Sequence, residues 1–161
     1  MDKDTQILPP DMTLKNKVGA GGFNEDDIAK AQSAIENNDI DFAPDAEHFL
    51  LRLGEALEVM EKQELDDGVL LDRVLYPILQ LKAQGSLFQY PLITQISECL
   101  VRLLEDTDKI NNDLIAIIKS YKQSIHLILN QQISNTENAT GKTLYNEISA
   151  VCQRYRQKRN S

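Results

Sequence analysis

From Ile28 to Tyr155 the apolar residues of this chain return every three or four positions, with no sustained alternation of apolar and polar residues. A spacing of three and four gathers side chains on one face of an α-helix, whereas alternation gathers them on one face of a strand. The pattern predicts an all-α fold. Seven glycines and five prolines in 161 residues also argue against a many-turned sandwich of strands. A chain of this length suits a single domain with a sizeable core, and 42% apolar residues is near the globular average.

Six helices follow from the stripes and their caps. The first starts at Asn24, with Glu25, Asp26 and Asp27 at the positive end of the dipole, and carries Ile28, Ala31 and Ile35 until Asn37-Asn38-Asp39 ends it. The second opens near Pro44-Asp45-Ala46-Glu47 and turns Leu50, Leu53, Leu57 and Met60 inward, with His48, Arg52 and Glu55 opposite. The third follows Asp66-Asp67-Gly68 with Leu71, Val74 or Leu75, Ile78, Leu81 or Lys82, and Gly85. It contains Pro77, which removes one backbone donor and should bend it. The fourth begins around Tyr90-Pro91 and faces Leu92, Ile96, Cys99, Leu100, Leu103 and Leu104 inward. The fifth, expected to be the longest, is capped by Thr107 or Asp108 and carries Ile110, Leu114, Ile117, Tyr121 and Ile128. After a polar loop from Asn135 to Gly141, a sixth carries Leu144, Ile148, Val151, Cys152 and Tyr155. The expected architecture is an antiparallel four-helix bundle with an extra helix at each end. Residues 1–23, with Pro9-Pro10 and Gly19-Ala20-Gly21-Gly22, read as a flexible arm, 24–156 as the helical domain, and 157–161 as a basic tail at a solvated helix end.

The formal charge of −8 argues against a general nucleic-acid binder, which needs a basic face. No apolar run approaches the roughly 18 residues of a membrane span. Met1 to Pro10 shows no apolar stretch after a basic start, so a cytoplasmic location is expected. Cys99 and Cys152 form no CxxC pair, and His48 and His126 lack metal-ligand spacing. Two free buried thiols and no metal or cofactor are the expectation. Gly141-Lys142-Thr143 resembles the end of a phosphate loop, but Thr136 stands where the motif needs glycine and no strand precedes it. Acidic pairs such as Asp66-Asp67 and Glu105-Asp106 are explained as helix-end capping.

The most informative stretch is Leu79-Gln80-Leu81-Lys82-Ala83-Gln84-Gly85-Ser86-Leu87-Phe88-Gln89-Tyr90-Pro91-Leu92-Ile93-Thr94. It resembles the phosphorylation helix of histidine phosphotransfer domains, four-helix bundles that exchange a phosphoryl group with the aspartate of response-regulator receiver domains. The family motif is His-x-x-Lys-Gly. A version from alphaproteobacterial phosphotransfer-like proteins reads roughly His-Asp-Ile-Lys-Gly-Gln-Gly-Ala-Thr-Phe, then Pro-Leu-Val-Thr-Arg-Ile. Those proteins also carry a Leu-Lys-x-Lys-Val-Gly arm followed by glycines, which Leu14-Lys15-Asn16-Lys17-Val18-Gly19 matches. The resemblance covers roughly residues 7–106. Lys82, Gln84, Gly85 and Phe88 fall on family positions. Leu79 stands where the phospho-accepting histidine belongs, and Ala83 replaces the glycine after the lysine.

Leucine has no nucleophilic nitrogen, so the resemblance implies the scaffold without the phosphotransfer. On helical spacing Leu79 aligns with Asp72, Tyr76, Ala83 and Ser86. It either stands exposed as an apolar docking knob or, if Pro77 rotates the helix, extends the core. The leading expectation is a non-enzymatic signalling protein that binds a response-regulator receiver domain or a histidine kinase module through Tyr76, Leu79, Lys82, Ala83 and Ser86. One alternative is a self-associating helical module, using the arm, the fifth helix with Leu127 and Ile133, or the sixth. The other is phosphotransfer relocated to His48, which has Arg52 and Gly54 after it, or to His126, which lies beside Lys119, Lys122 and Asn130.

Overall fold

In a computed structural model of the chain, the structure describes residues 25–36 and 41–159, with the side chains of 34–36 left out. The matched arm Leu14–Gly19 and the Asn24 cap lie outside the described residues. The chain divides into two units, Met1–Asp39 and Ile40–Ser161. In the first unit, α1 spans Glu25–Glu36, opens on three acidic residues, and exposes its described side chains, Ile28 included. The helix expected from Asn24 is thus present, and the division falls after it.

The second unit holds α2 (Ala43–Lys62), α3 (Asp67–Gly85), α4 (Pro91–Glu105), α5 (Asn112–Asn130) and α6 (Ala139–Arg159). The described residues contain no strand. Local chemistry explains the boundaries. Pro44 lies in the first turn of α2, and Pro91 opens α4, positions where a missing N–H costs nothing. Gln63 takes a left-handed φ of 50° and ends α2, its N–H donating to the Met60 carbonyl at 3.2 Å. The Asn138 carboxamide accepts from the Thr140 N–H at 2.8 Å where α6 begins.

α2 packs against α3 and α5, α4 against α3, α5 and α6, and α6 also against α5. Leu50, Leu53, Ile78, Leu81, Ile96, Leu100, Tyr121 and Ile125 are fully buried between them. Burying each such side chain contributes about 1.5–3 kcal/mol. Pro77 is buried inside an unbroken α3. No helix among the described residues is long and apolar enough to cross a membrane.

Four expectations are corrected. α5 begins at Asn112 rather than beside Thr107 or Asp108. The Asn111 side chain accepts the Leu114 N–H at 2.9 Å, while the buried Thr107 hydroxyl turns back to the Leu103 carbonyl at 2.6 Å. Nor is α5 the longest helix: it has 19 residues, α2 has 20 and α6 has 21. Ile133 is buried, not exposed, because Gln132 adopts a left-handed φ of 52° and the Ile133 N–H returns to the Ile128 carbonyl at 3.0 Å. Leu127, also expected to be exposed, is half-buried.

The basic tail is the remaining difference. Residues 157–159 continue α6, and Arg156 pairs with Asp106, Lys158 with Asp113 at 2.9 Å, and Arg159 with Asp108 at 3.8 Å. The solvated helix end is therefore fastened to the α4–α5 connection. Sequence alone does not reveal this, because the acids lie about fifty residues earlier in the chain.

Candidate docking strip on α3

α3 buries Leu71, Val74, Ile78, Leu81 and Gly85 and leaves Asp72, Tyr76, Leu79 and Ala83 facing solvent, with Ser86 exposed just past its end. Leu79 is 38% exposed and Tyr76 49%. Core extension is thus excluded for Leu79. The helix passes through Pro77 without losing register, so the buried stripe stays on Ile78 and Leu81 and Leu79 sits about 100° from Ile78.

Two apolar neighbours join the strip that the sequence reading did not include. Val69 is exposed at the start of α3 and Leu87 just past its end. Their signal was the same three-and-four spacing, extended by one step from Asp72 and Ala83. Of seven large hydrophobic side chains exposed among the described residues, four are Val69, Tyr76, Leu79 and Leu87. That concentration distinguishes the face from the scattered exposed leucines normal for a surface.

The polar surroundings hold the strip in place. The Arg52 guanidinium, from α2, lies 5.3 Å from the Tyr76 ring centroid, a cation–π distance. Sequence had placed Arg52 only on the outer side of its helix. Lys82 pairs with Glu98 of α4, and the Arg102 Nε donates to the same carboxylate at 2.7 Å. Lys82 foremost, then Arg102, holds the Glu98 carboxyl below the usual carboxylate range. The Glu98 carboxylate is therefore charged at neutral pH and bridges α3 and α4 through Lys82, and acidification through its lowered value removes that bridge.

At the end of α3 the Thr94 hydroxyl donates to the Lys82 carbonyl at 3.0 Å and accepts from the Ser86 N–H at 2.9 Å and from the Ser86 hydroxyl at 3.0 Å. Gly85 makes this approach feasible. A β-carbon there would meet the Thr94 hydroxyl oxygen at 2.8 Å and the Thr94 nitrogen and Tyr90 carbonyl at 3.0 Å. Ser86 is thus exposed at the strip while its hydroxyl is committed to α4.

The two histidines lie elsewhere. His48 is exposed on α2 with its ring 5.8 Å from that of Phe49, and the His126 Nδ1 on α5 is 3.1 Å from the Glu47 carboxylate. Lys122 lies across Gly54, where a β-carbon would come within 2.8 Å of its Nζ.

Cys99 is half-buried and Cys152 buried, and both are free. Burial pushes both thiols up, Cys152 to about 12. Thiolate is the reactive form, so alkylation by iodoacetamide at neutral pH is expected to be slow, with Cys99 modified before Cys152. Peptide mapping over a time course checks the order; Cys152 reacting first would contradict it. Among the described residues no group of three or more His, Cys, Asp or Glu side chains is placed to hold a metal.

Comparison with known proteins adds no assignment: no family model, no curated protein and no solved structure matches this chain.

Proposed function

We propose that this chain is a non-catalytic signalling protein, built like a histidine phosphotransfer domain that has lost its phospho-accepting histidine. It docks a response-regulator receiver domain or a histidine kinase module of a cytoplasmic phosphorelay. In this reading α2 to α5 form the antiparallel four-helix bundle and α6 is an addition. The pairing of α2 with α3, α3 with α4, α4 with α5 and α5 with α2 supports it, since those contacts close a ring.

The observation that carries the reading is the exposure of Leu79 at mid-helix, in a strip with Tyr76 and Ala83 and one turn from Lys82. A hydrocarbon there cannot carry a phosphoryl group, but burying it against a partner contributes about 1.5–3 kcal/mol. Ala83 is small enough to keep the partner backbone close. Such a protein holds a partner without chemistry and competes with an active phosphotransfer protein for it.

Titration calorimetry against a panel of receiver domains tests this. Leu79→Asp is expected to weaken binding at least about tenfold, the equivalent of 1.4 kcal/mol. Lys82→Glu should weaken it less, because Lys82 is partly occupied by Glu98. Leu51→Asp, at an exposed leucine on α2, should leave it unchanged. Binding indifferent to both Leu79→Asp and Lys82→Glu would refute the assignment. Incubation with a phosphorylated receiver is expected to leave no acid-labile label; a label would move the chemistry to His48 or His126.

A further inference from the structure

We propose that the furrow between α5 and α6 binds a small amphiphile with an anionic head, a medium-chain carboxylate. The head meets the Arg154 guanidinium and the Tyr155 hydroxyl, and the hydrocarbon body lies along the furrow. The furrow shares no residue with the α3 strip and needs no receiver domain.

Its wider part has a volume of about 710 Å³ and is lined by the buried Ile117 and Ile148 and the half-buried Leu127, Leu144 and Val151. A narrower part of about 310 Å³ continues past Ile117 and Val151 to Asp113 and Lys158. Both volumes fall within the range of about 300–1,000 Å³ common to small-molecule sites. From Leu127 to Asp113 the furrow follows α5 for about 21 Å, at about 1.5 Å per residue. Ser120 and Ser124 also line it, but their hydroxyls donate to the Ala116 and Ser120 carbonyls of their own helix. A long trough with apolar walls suits a hydrocarbon chain better than a compact polar molecule.

Two observations place the head. Tyr155 lines the narrower part and is 6% exposed, and its hydroxyl is buried with no hydrogen-bond partner. Buried hydroxyls nearly always have a partner, and a ligand oxygen supplies one here. Asp113 foremost, with the Tyr155 oxygen contributing, holds the Lys158 ammonium above the usual lysine range, which sets that hydroxyl at the Lys158 end. The second observation is Arg154, which lines both parts. Arg156, Lys158 and Arg159 each pair with an aspartate, whereas Arg154 has no acidic partner among the described residues. An unpaired guanidinium offers a carboxylate charge-assisted hydrogen bonds. Around Tyr155 the lining sets Arg154 and Lys158 against Asp113 alone, so the local balance is positive on a chain of net charge −8. Glu147, two helical turns before Arg154, lines the wider part and repels an anion. The head therefore sits at Arg154 and the tail runs toward Leu127 and Leu144.

Calorimetric titration of the full chain with dodecanoate, kept below micelle formation, tests the site. One saturable site is expected. Arg154→Gln should weaken dodecanoate at least about tenfold, while dodecanol, which has no charge, should bind the variant and the wild type alike. Tyr155→Phe should weaken dodecanoate about three- to tenfold without lowering the melting temperature, since the hydroxyl has no partner in the free protein. A merely structural hydroxyl gives the reverse: a lower melting temperature and unchanged affinity. Lys62→Gln, the same loss of charge at an exposed position of α2 outside the furrow, should change nothing. No saturable binding, binding indifferent to both Arg154→Gln and Tyr155→Phe, or capture by phosphatidylglycerol vesicles in place of free dodecanoate overturns the proposal. Leu79→Asp should leave dodecanoate binding intact, so loss of receiver docking and loss of this site are separately visible.

Discussion

Replacing Tyr121 with alanine is expected to cost about 3–5 kcal/mol of stability, the largest loss of any single substitution considered for this fold. Tyr121 is fully buried on α5, and its hydroxyl lies 2.7 Å from the buried Ser97 hydroxyl of α4. The pair joins α4 to α5 inside the core. Truncation empties a ring-sized volume and leaves Ser97 without a partner, and both effects carry the same sign. Burial also pushes the phenol strongly upward, so it stays protonated through neutral and moderately alkaline pH and remains able to donate. Tyr121→Phe keeps the volume and isolates the second effect, with an expected loss of about 1–2 kcal/mol. Adding Ser97→Ala to Tyr121→Phe should recover part of that loss, because neither hydroxyl is then stranded. Urea unfolding followed by circular dichroism measures all three. A loss below about 1 kcal/mol for Tyr121→Ala would mean that α4 and α5 do not pack through this residue.

Gly141→Ala should have the next largest effect despite adding one methyl group. Gly141 is buried in the first turn of α6, where a β-carbon would overlap the Asn135 carbonyl oxygen, with Ile133 Cγ2 at 3.0 Å and Leu92 Cδ2 at 3.2 Å. The first obstacle is backbone, which cannot rotate aside. The loop from Ile133 to Asn138 or the start of α6 must move instead, at a cost of about 1–3 kcal/mol. That corresponds to a melting-temperature drop of about 2–12 °C for a domain this size. Thr140→Ala, one residue earlier and exposed, is the control and should change little. Equal melting temperatures for the two variants would show that α6 does not seat against the loop as described. The effect explains Gly141-Lys142-Thr143 without phosphate binding: the glycine serves close packing.

Much of the fold was legible because burial on a helix repeats. Leu50, Leu53, Leu57 and Met60, and likewise Leu71 and Ile78, are buried as their spacing predicts, and the structure chooses Val74 over Leu75 and Leu81 over Lys82. The start of α5 was not legible, since Thr107, Asp108 and Asn111 are all competent caps. Only the turn of Thr107 back onto Leu103 settles the choice. The expected exposure of Ile133 failed for a similar reason: a left-handed residue after the helix redirects the chain, and no spacing rule carries past it. At the α3 strip, helical geometry placed Tyr76, Leu79, Ala83 and Ser86 on one face, while the exposure of Leu79 had to come from the structure. Arg52 over Tyr76 and Glu98 against Lys82 come from other helices, so local spacing held no trace of them.

By itself, the order of residues determined that the chain is helical, which face of each long helix turns inward, and that an unreactive leucine stands at position 79. These are local properties, set by 3.6 residues per turn and by the chemistry of single side chains. Only the tertiary structure decided that Leu79 stays outside the core, that Glu98 engages Lys82, that the basic end of α6 is fastened to Asp106 and Asp113, and that Gly141 admits no β-carbon. Each of these depends on groups far apart in the chain meeting in space, and pairwise distance across a fold is not encoded in any one segment's pattern.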